Sequence, residues 1–119
     1  MKLRLVGDAA VERALTLMQA DLAARWTVTS LARRVGLSRP VFARRFCESE
    51  SVSPMRRLAT LRMEEAARRL EKSDASLAQV GQQVGYDSEF AFNRAFKRHH
   101  GVAPGAYRRG VAPILCRAA

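Results

Sequence analysis

Val84-Gly85-Tyr86-Asp87-Ser88-Glu89-Phe90-Ala91-Phe92-Asn93-Arg94-Ala95-Phe96 decides the fold, because Val35-Gly36-Leu37-Ser38-Arg39-Pro40-Val41-Phe42-Ala43-Arg44-Arg45-Phe46 repeats its pattern earlier in the chain. Thr27 aligns with Ser76, Leu31 with Val80, Val35 with Val84 and Gly36 with Gly85, all at an offset of 49. One residue is then inserted in the second copy and the offset becomes 50. Phe42 falls on Phe92, Arg44 on Arg94, Phe46 on Phe96, Val52 on Val102 and Pro54 on Pro104. Each copy reads as a capped short helix, a Gly turn, a second helix with a Phe-x-x-x-Phe face, and a helix started by Pro. Two short helices joined by a tight, Gly-containing turn form a helix-turn-helix unit. A single match of this kind is a weak signal; two matched copies on a basic chain are a much stronger one.

Helical periodicity continues on both sides of the repeat. Val11, Leu15, Met18 and Leu22 recur at helical spacing and predict a first helix from about Ala9 to Ala24, with Trp26 anchoring it to the next. Thr27 or Thr29 caps a short helix to Arg34 or Val35, and Gly36 ends it by accepting the left-handed conformation. Ser38 caps a third helix, which tolerates Pro40 in its first turn. Ser53-Pro54 starts a long fourth helix to about Lys72, with Leu58, Leu61 and Leu70 as buried candidates. Ser76-Leu77-Ala78-Gln79 reads as a capping box for a fifth helix, which Gly85 ends. Asp87 or Ser88 caps a sixth helix, and Pro104 opens a short seventh through about Arg109. No strand is expected. The fold class is therefore all-α, with two helix-turn-helix subdomains (residues 8–53 and 73–109) joined by a linker helix (54–72). Residues 110–119 show no pattern and are expected to form a disordered tail.

Once the Phe pairs are assigned to the core, one face of each second helix is left over. Pro40, Ala43, Arg44 and Cys47 share the outward face of the third helix; Phe90, Asn93, Arg94 and Lys97 share that of the sixth. The two stripes are equivalent under the repeat. An α-helix fits the DNA major groove, and an Arg there pairs bidentately with guanine O6 and N7. Arg44 and Arg94 are the first choices for that role. A linker helix that held the two units rigidly would let them enter successive major-groove segments, about 34 Å apart on one DNA face.

Composition agrees and excludes other classes. The chain has 119 residues, with 21 Lys and Arg against 11 Asp and Glu, for a formal net charge of +10. Only Lys2, Lys72 and Lys97 are lysines; the other bases are Arg, whose planar fork suits phosphate and guanine. A basic small domain points to a polyanion, nucleic acid before an acidic membrane. No apolar run is long enough to span a bilayer, and Met1 to Gly7 is too short for a signal peptide. Cys47 and Cys116 form neither a zinc pattern nor a disulfide framework, and a reducing compartment fits them. Cys47 is read as a small, half-buried residue rather than a redox site. His99 and His100 lack the further ligands a metal would need. Glu64 and Glu65 are partners for nearby Arg rather than catalytic acids. With no nucleophile–base constellation and no cofactor motif, an enzyme is not expected. The arginine doublets 33–34, 56–57 and 68–69 are read mostly as surface charge, a few of them touching phosphate.

The two copies together resemble the DNA-binding domain of the AraC/XylS family. Trp26-Thr27-Val28, Leu31-Ala32 and Val35 through Phe46 carry the first half of the resemblance. Val84 through Arg98, then Gly101-Val102-Ala103-Pro104 and Tyr107-Arg108, carry the second. The resemblance covers about residues 8 to 109. It implies a seven-helix fold with a central linker helix. It also implies a transcription regulator that binds double-stranded promoter or operator DNA, contacts RNA polymerase and works in the cytoplasm at the nucleoid. Base contacts carried over residue by residue fall on Pro40, Ala43 and Arg44, and on Glu89, Phe90, Asn93 and Arg94, with Arg39 and Lys97 as further donors beside them. Three departures stand out. Pro40 and Ala43 replace longer side chains, which thins base reading by the first unit and leaves more to shape. Ala103 replaces a Ser cap. His99-His100 replaces an aromatic-ended pair, so one apolar packing contact is expected to be missing.

Most members of that family carry an N-terminal sensing and dimerising domain, which these residues lack. Two recognition helices in one chain make a dimer unnecessary for contacting two groove segments, so this chain is expected to be monomeric, with dimerisation left to such a further domain. Two other classes compete. A basic helical protein-interaction module would show no preference among DNA sequences. A non-specific nucleic-acid binder would usually display exposed aromatic platforms, whereas most Phe here face inward and Phe90 is the exception.

Overall fold

The computed structural model describes residues 8–110, and among them it forms seven α-helices and no strand. The helices are α1 (Ala9–Ala20), α2 (Val28–Arg34), α3 (Arg39–Glu50), α4 (Pro54–Lys72), α5 (Leu77–Gln83), α6 (Glu89–His100) and α7 (Pro104–Arg108). The start Met1 to Gly7 and the tail expected beyond Gly110 lie outside the described residues. The chain divides into two compact units between Ala59 and Thr60, inside α4.

The caps follow the sequence. Thr27 and Ser76 each close a capping box: their side chains accept from the Ser30 and Gln79 amides, and those side chains accept from the Thr27 and Ser76 amides in return. Ser38 and Ser88 cap α3 and α6, accepting from the amides of Val41 and Ala91. Both Gly turns are Schellman motifs. Leu37 N–H donates to Ala32 O at 3.0 Å and Tyr86 N–H to Gly81 O at 2.9 Å; inside each, Gly36 donates to Arg33 O and Gly85 to Gln82 O. Gly36 and Gly85 sit at φ +78° and +105°, where a Cβ is disfavoured.

In the first unit α1, α2 and α3 pack on one another. They bury Val11, Ala14 and Met18, then Leu31 and Ala32, then Phe42 and Phe46, whose rings lie 5.7 Å apart. Asp8 caps α1 at the Val11 amide and ties that helix to α3 through two hydrogen bonds from Arg45. Those Arg45 bonds hold the Asp8 carboxyl below its ordinary pKa against the opposing effect of burial. α1 stops at Ala20, not near Ala24. Asp21 leaves the helical region, and the Trp26 indole donates to Asp21 O at 2.9 Å, closing a turn where the expected last helical turn would run. Trp26 thus meets both helices, bonding the end of α1 and lying under the Arg34 guanidinium of α2, 5.6 Å from its ring centroid, and Leu22 is only half-buried.

In the second unit Met63, Ala66, Ala67 and Leu70 of α4 pack with Val80 and Val84 of α5 and with Phe92, Ala95 and Phe96 of α6. Leu58 and Leu70 are buried as expected, while Leu61 is half-buried. Gly81 takes the place that Ala32 holds in the first copy. A Cβ on Gly81 would lie 2.9–3.1 Å from Phe92 carbons, so α5 and α6 pack too closely there for a side chain. Arg108 closes the C-terminal end of α4, donating to the carbonyls of Leu70, Ser73 and Ala75.

The packing gap expected at His99-His100 does not occur. The His100 ring lies 4.3 Å from the Phe96 ring and 5.7 Å from Tyr107, and its Nε2 is 3.0 Å from Met63 O. An imidazole is flat enough to stack where an aromatic would, and its polar edge finds a carbonyl. His99 remains exposed; burial of its ring and the neighbouring His100 lower its pKa, with Glu64 opposing. Ala103 starts α7 without any side-chain cap, as the sequence indicates.

Candidate nucleic-acid interface

Each second helix of the repeat is fixed by the two Phe rings it buries, and this sets which residues face outward. With Phe42 and Phe46 fully buried, α3 exposes Arg39, Pro40, Arg44 and Cys47, while Ala43 is half-buried. Arg44 reaches back to Glu48, one turn on, at 3.9 Å, with both side chains about three-fifths exposed. Such a surface pair is worth well under about 1 kcal/mol and does not hold Arg44 in place. Its neighbour Arg45 turns inward to Asp8, so adjacent arginines on α3 divide the work: one structural, one free to reach outward.

On α6 the buried rings are Phe92 and Phe96, with centroids 5.8 Å apart. The opposite face carries Glu89, Phe90, Arg94 and Lys97, all exposed, with Asn93 half-buried between them. The Arg94 guanidinium lies over the Phe90 ring, 5.6 Å from its centroid. Phe90 is 69% exposed, and it is the large apolar side chain left in solvent among the described residues. Asn93 Oδ1 is buried and has no hydrogen-bond partner. With that oxygen buried, Asn93 does not present the acceptor half of the two-point pairing an Asn makes with adenine. Glu89 stands in the first turn, where the helix dipole favours an acid, and a carboxylate there can accept from cytosine N4. Lys97, Arg98, His99 and His100 occupy the last turn, a basic end that complements the carbonyl pole.

The expected site residues therefore fall into two exposed helix faces, Arg39, Pro40, Ala43 and Arg44 on α3 and Glu89, Phe90, Asn93, Arg94 and Lys97 on α6. The contact of Arg94 with Phe90 adds to the faces expected from sequence, and an aromatic and an Arg at i, i+4 carry its signal. Several arginines are structural. Arg57 pairs with Glu50, and Arg68 and Arg69 both bind Glu65. Burial would raise the Glu65 pKa, but the bonds from Arg69 and Arg68 outweigh it and hold it low. Arg62 lies partly buried beside Tyr86 and Gly85; the loss of water lowers its pKa, with Tyr86 opposing. Arg33 and Arg98 are exposed and join the pool of candidate phosphate contacts. No cluster of His, Cys, Asp and Glu among the described residues could hold a metal, and no described helix is long and apolar enough to cross a membrane.

The profile of a helix-turn-helix domain family matches residues 31–110, both exposed faces included. The chain belongs to the AraC-type helix-turn-helix family. Among AraC-type relatives, it is 41% identical over 104 residues to a protein of Streptomyces lividans named as an AraC-like transcription regulator, covering 87% of this chain and 34% of that one. The chain thus spans about a third of the length of the curated relatives it matches. Two solved structures show the same fold. The DNA-binding domain of AdpA, a global transcriptional factor crystallised with a target DNA, matches at TM-score 0.80 and 33% identity, covering 84% of this chain and 90% of that one. The C-terminal domain of AraT, a response regulator from Geobacillus stearothermophilus, matches at TM-score 0.81 and 31% identity, covering 84% of each chain.

Proposed function

We propose that this chain is the sequence-specific, double-stranded-DNA-binding part of a transcription regulator. In this reading α3 and α6 are recognition helices that enter adjacent major-groove segments. The observation that carries it is the pair of matched outward faces: Arg44 and Arg94 occupy equivalent positions on helices whose other face is pinned by two buried rings. Arg94 and Arg44 pair with guanine edges, Glu89 and Asn93 read neighbouring positions, and Arg39 and Lys97 hold phosphates, which fix register without reading sequence. The helix-turn-helix subdomains are residues 8–53 and 73–109, with 54–72 as linker. The chain binds as a monomer in the cytoplasm, contacts RNA polymerase when it activates, and leaves dimerisation to a further domain. It is a binding protein rather than an enzyme.

Selection of bound duplexes from a random library at near-physiological salt, followed by sequencing, tests this. The expected result is one enriched site with two short informative blocks about one helical turn apart. A single block would reduce one unit to a backbone clamp, with the Ala43-bearing α3 the first suspect. Binding without any enrichment, vanishing as salt rises, would leave only the charge and favour a non-specific binder or a protein-interaction module.

A further inference from the structure

Phe90 is an anomaly for a surface that faces a polyanion. It is a large apolar ring in the first turn of α6, 69% exposed, on the same face as Asn93, Arg94 and Lys97. Leaving such a ring in water forgoes the burial that placed Phe42, Phe46, Phe92 and Phe96 in the two cores. The major-groove floor offers one methyl to cover it, the 5-methyl of thymine, the group that apolar side chains contact there; the remaining edges are mostly hydrogen-bond donors and acceptors. The ring also stands beside a guanine-reading group, the Arg94 guanidinium lying 5.6 Å from its centroid. That separation falls between one and two base-pair steps of about 3.4 Å each. A ring at that reach from the Arg94 guanidinium can cover a base pair next to the one the fork engages. The stack also limits the conformers open to Arg94 before binding, which lowers the ordering cost of a bidentate contact.

We infer that Phe90 and Arg94 act as one composite reader of a guanine flanked by a thymine, Arg94 pairing with guanine O6 and N7 while Phe90 covers the thymine methyl. This rests on the proposed reading of α6 as a recognition helix and adds the thymine and the residue that selects it.

The experiment uses the full 119-residue chain and the duplex most enriched from the random library. The guanine whose preference disappears in Arg94→Ala is located first. Thymines at the base pairs next to it are then replaced by deoxyuridine, which removes the methyl alone. The expected result is a thymine beside that guanine, a loss of about fourfold in wild-type affinity on its replacement, the worth of burying one methyl, and equal binding of both duplexes by Phe90→Ala. Phe90→Leu keeps an apolar contact without the stack, so it should retain part of the deoxyuridine penalty and lose some of the guanine preference. Phe90 is largely exposed, so neither variant threatens the fold. Three outcomes overturn the inference while leaving sequence-specific binding intact: no thymine beside the guanine, no penalty with deoxyuridine, or an undiminished penalty in Phe90→Ala. The last would put the methyl contact elsewhere and leave the ring for a protein partner. A chain that enriches no duplex would instead remove the underlying function.

Discussion

α3 and α6 come from the same repeated pattern, yet they present different surfaces. Both are capped by Ser, both are pinned by a buried Phe pair, and both end in a left-handed residue. α3 shows Pro40, a half-buried Ala43, and an Arg44 that leans on Glu48. α6 shows an exposed Phe90 with Arg94 stacked on it, plus Lys97 and a basic last turn. α3 carries Glu48 and Glu50 toward its C-terminal end, where the dipole disfavours acids, and Glu50 is offset by Arg57. The difference teaches that a repeat can keep a scaffold while its outward faces diverge. Scaffold positions are fixed by packing and by φ; the exposed face positions are held by neither.

The largest expected effects separate the two faces. Arg94→Ala should weaken binding to the preferred duplex by about 1–3 kcal/mol and relax the preference at one base pair, as read by fluorescence anisotropy at fixed salt. Arg44→Ala should cost less, about 1 kcal/mol at most, because its face offers few other groups to orient it. Equal losses from the two variants would erase the asymmetry.

Next come the helix ends. Ser51 and Gly101 are equivalent under the repeat and sit at φ 68° and 86°. A non-Gly residue in this region costs roughly 1–2 kcal/mol. Ser51→Gly should therefore stabilise the chain, and Gly101→Ser destabilise it, each by about 1 kcal/mol in urea melts. A Ser51→Gly variant no more stable than wild type would mean that the Ser side chain offsets its own strain.

Asn93 gives an effect of similar or smaller size. Its buried, unpaired Oδ1 and the poor helix propensity of Asn both act against the fold. Asn93→Ala should raise stability by about 1 kcal/mol while weakening DNA binding. A lower Tm for Asn93→Ala would show that the amide has a stabilising partner in solution.

The smallest effect is the pH dependence that Asp8 gives the first unit. The Asp8 pKa is lowered in the folded chain, so the unfolded chain binds more protons as pH falls. The stabilisation from Asp8 is complete above the ordinary carboxylate value of 3.8 and is lost as pH drops through the lower folded value. Asp8→Asn should flatten that acid limb by less than about 1 kcal/mol, given the partial exposure of the pair. An unchanged acid limb in Asp8→Asn would place the titration in another group, with Glu65 the first candidate.

The helices and turns were legible because their causes are local. Capping Ser and Thr, Gly36 and Gly85 at positive φ, Pro54 and the Phe spacing each act within a few residues. The end of α1 was not, because the turn is closed by the Trp26 indole on the Asp21 carbonyl, a side-chain contact that leaves no trace in the hydrophobic periodicity. The filling of the His100 position was not legible either, because the sequence gives its polarity but not the Met63 carbonyl that satisfies it. At the site, exposure of the two faces followed from the Phe pairs. The inward turn of Arg45, the carbonyl-binding role of Arg108 and the inward oxygen of Asn93 depend on partners far away in sequence or on rotamers, which no spacing encodes.

The most direct test of the central claim repeats the random-duplex selection with wild type, Arg44→Ala and Arg94→Ala side by side. The account predicts two informative blocks for wild type, loss of a guanine preference in one block for Arg94→Ala, and a smaller loss confined to the other block for Arg44→Ala. If Arg94→Ala enriches the same site with the same preferences, α6 does not read DNA through Arg94, and the assignment of its outward face is wrong.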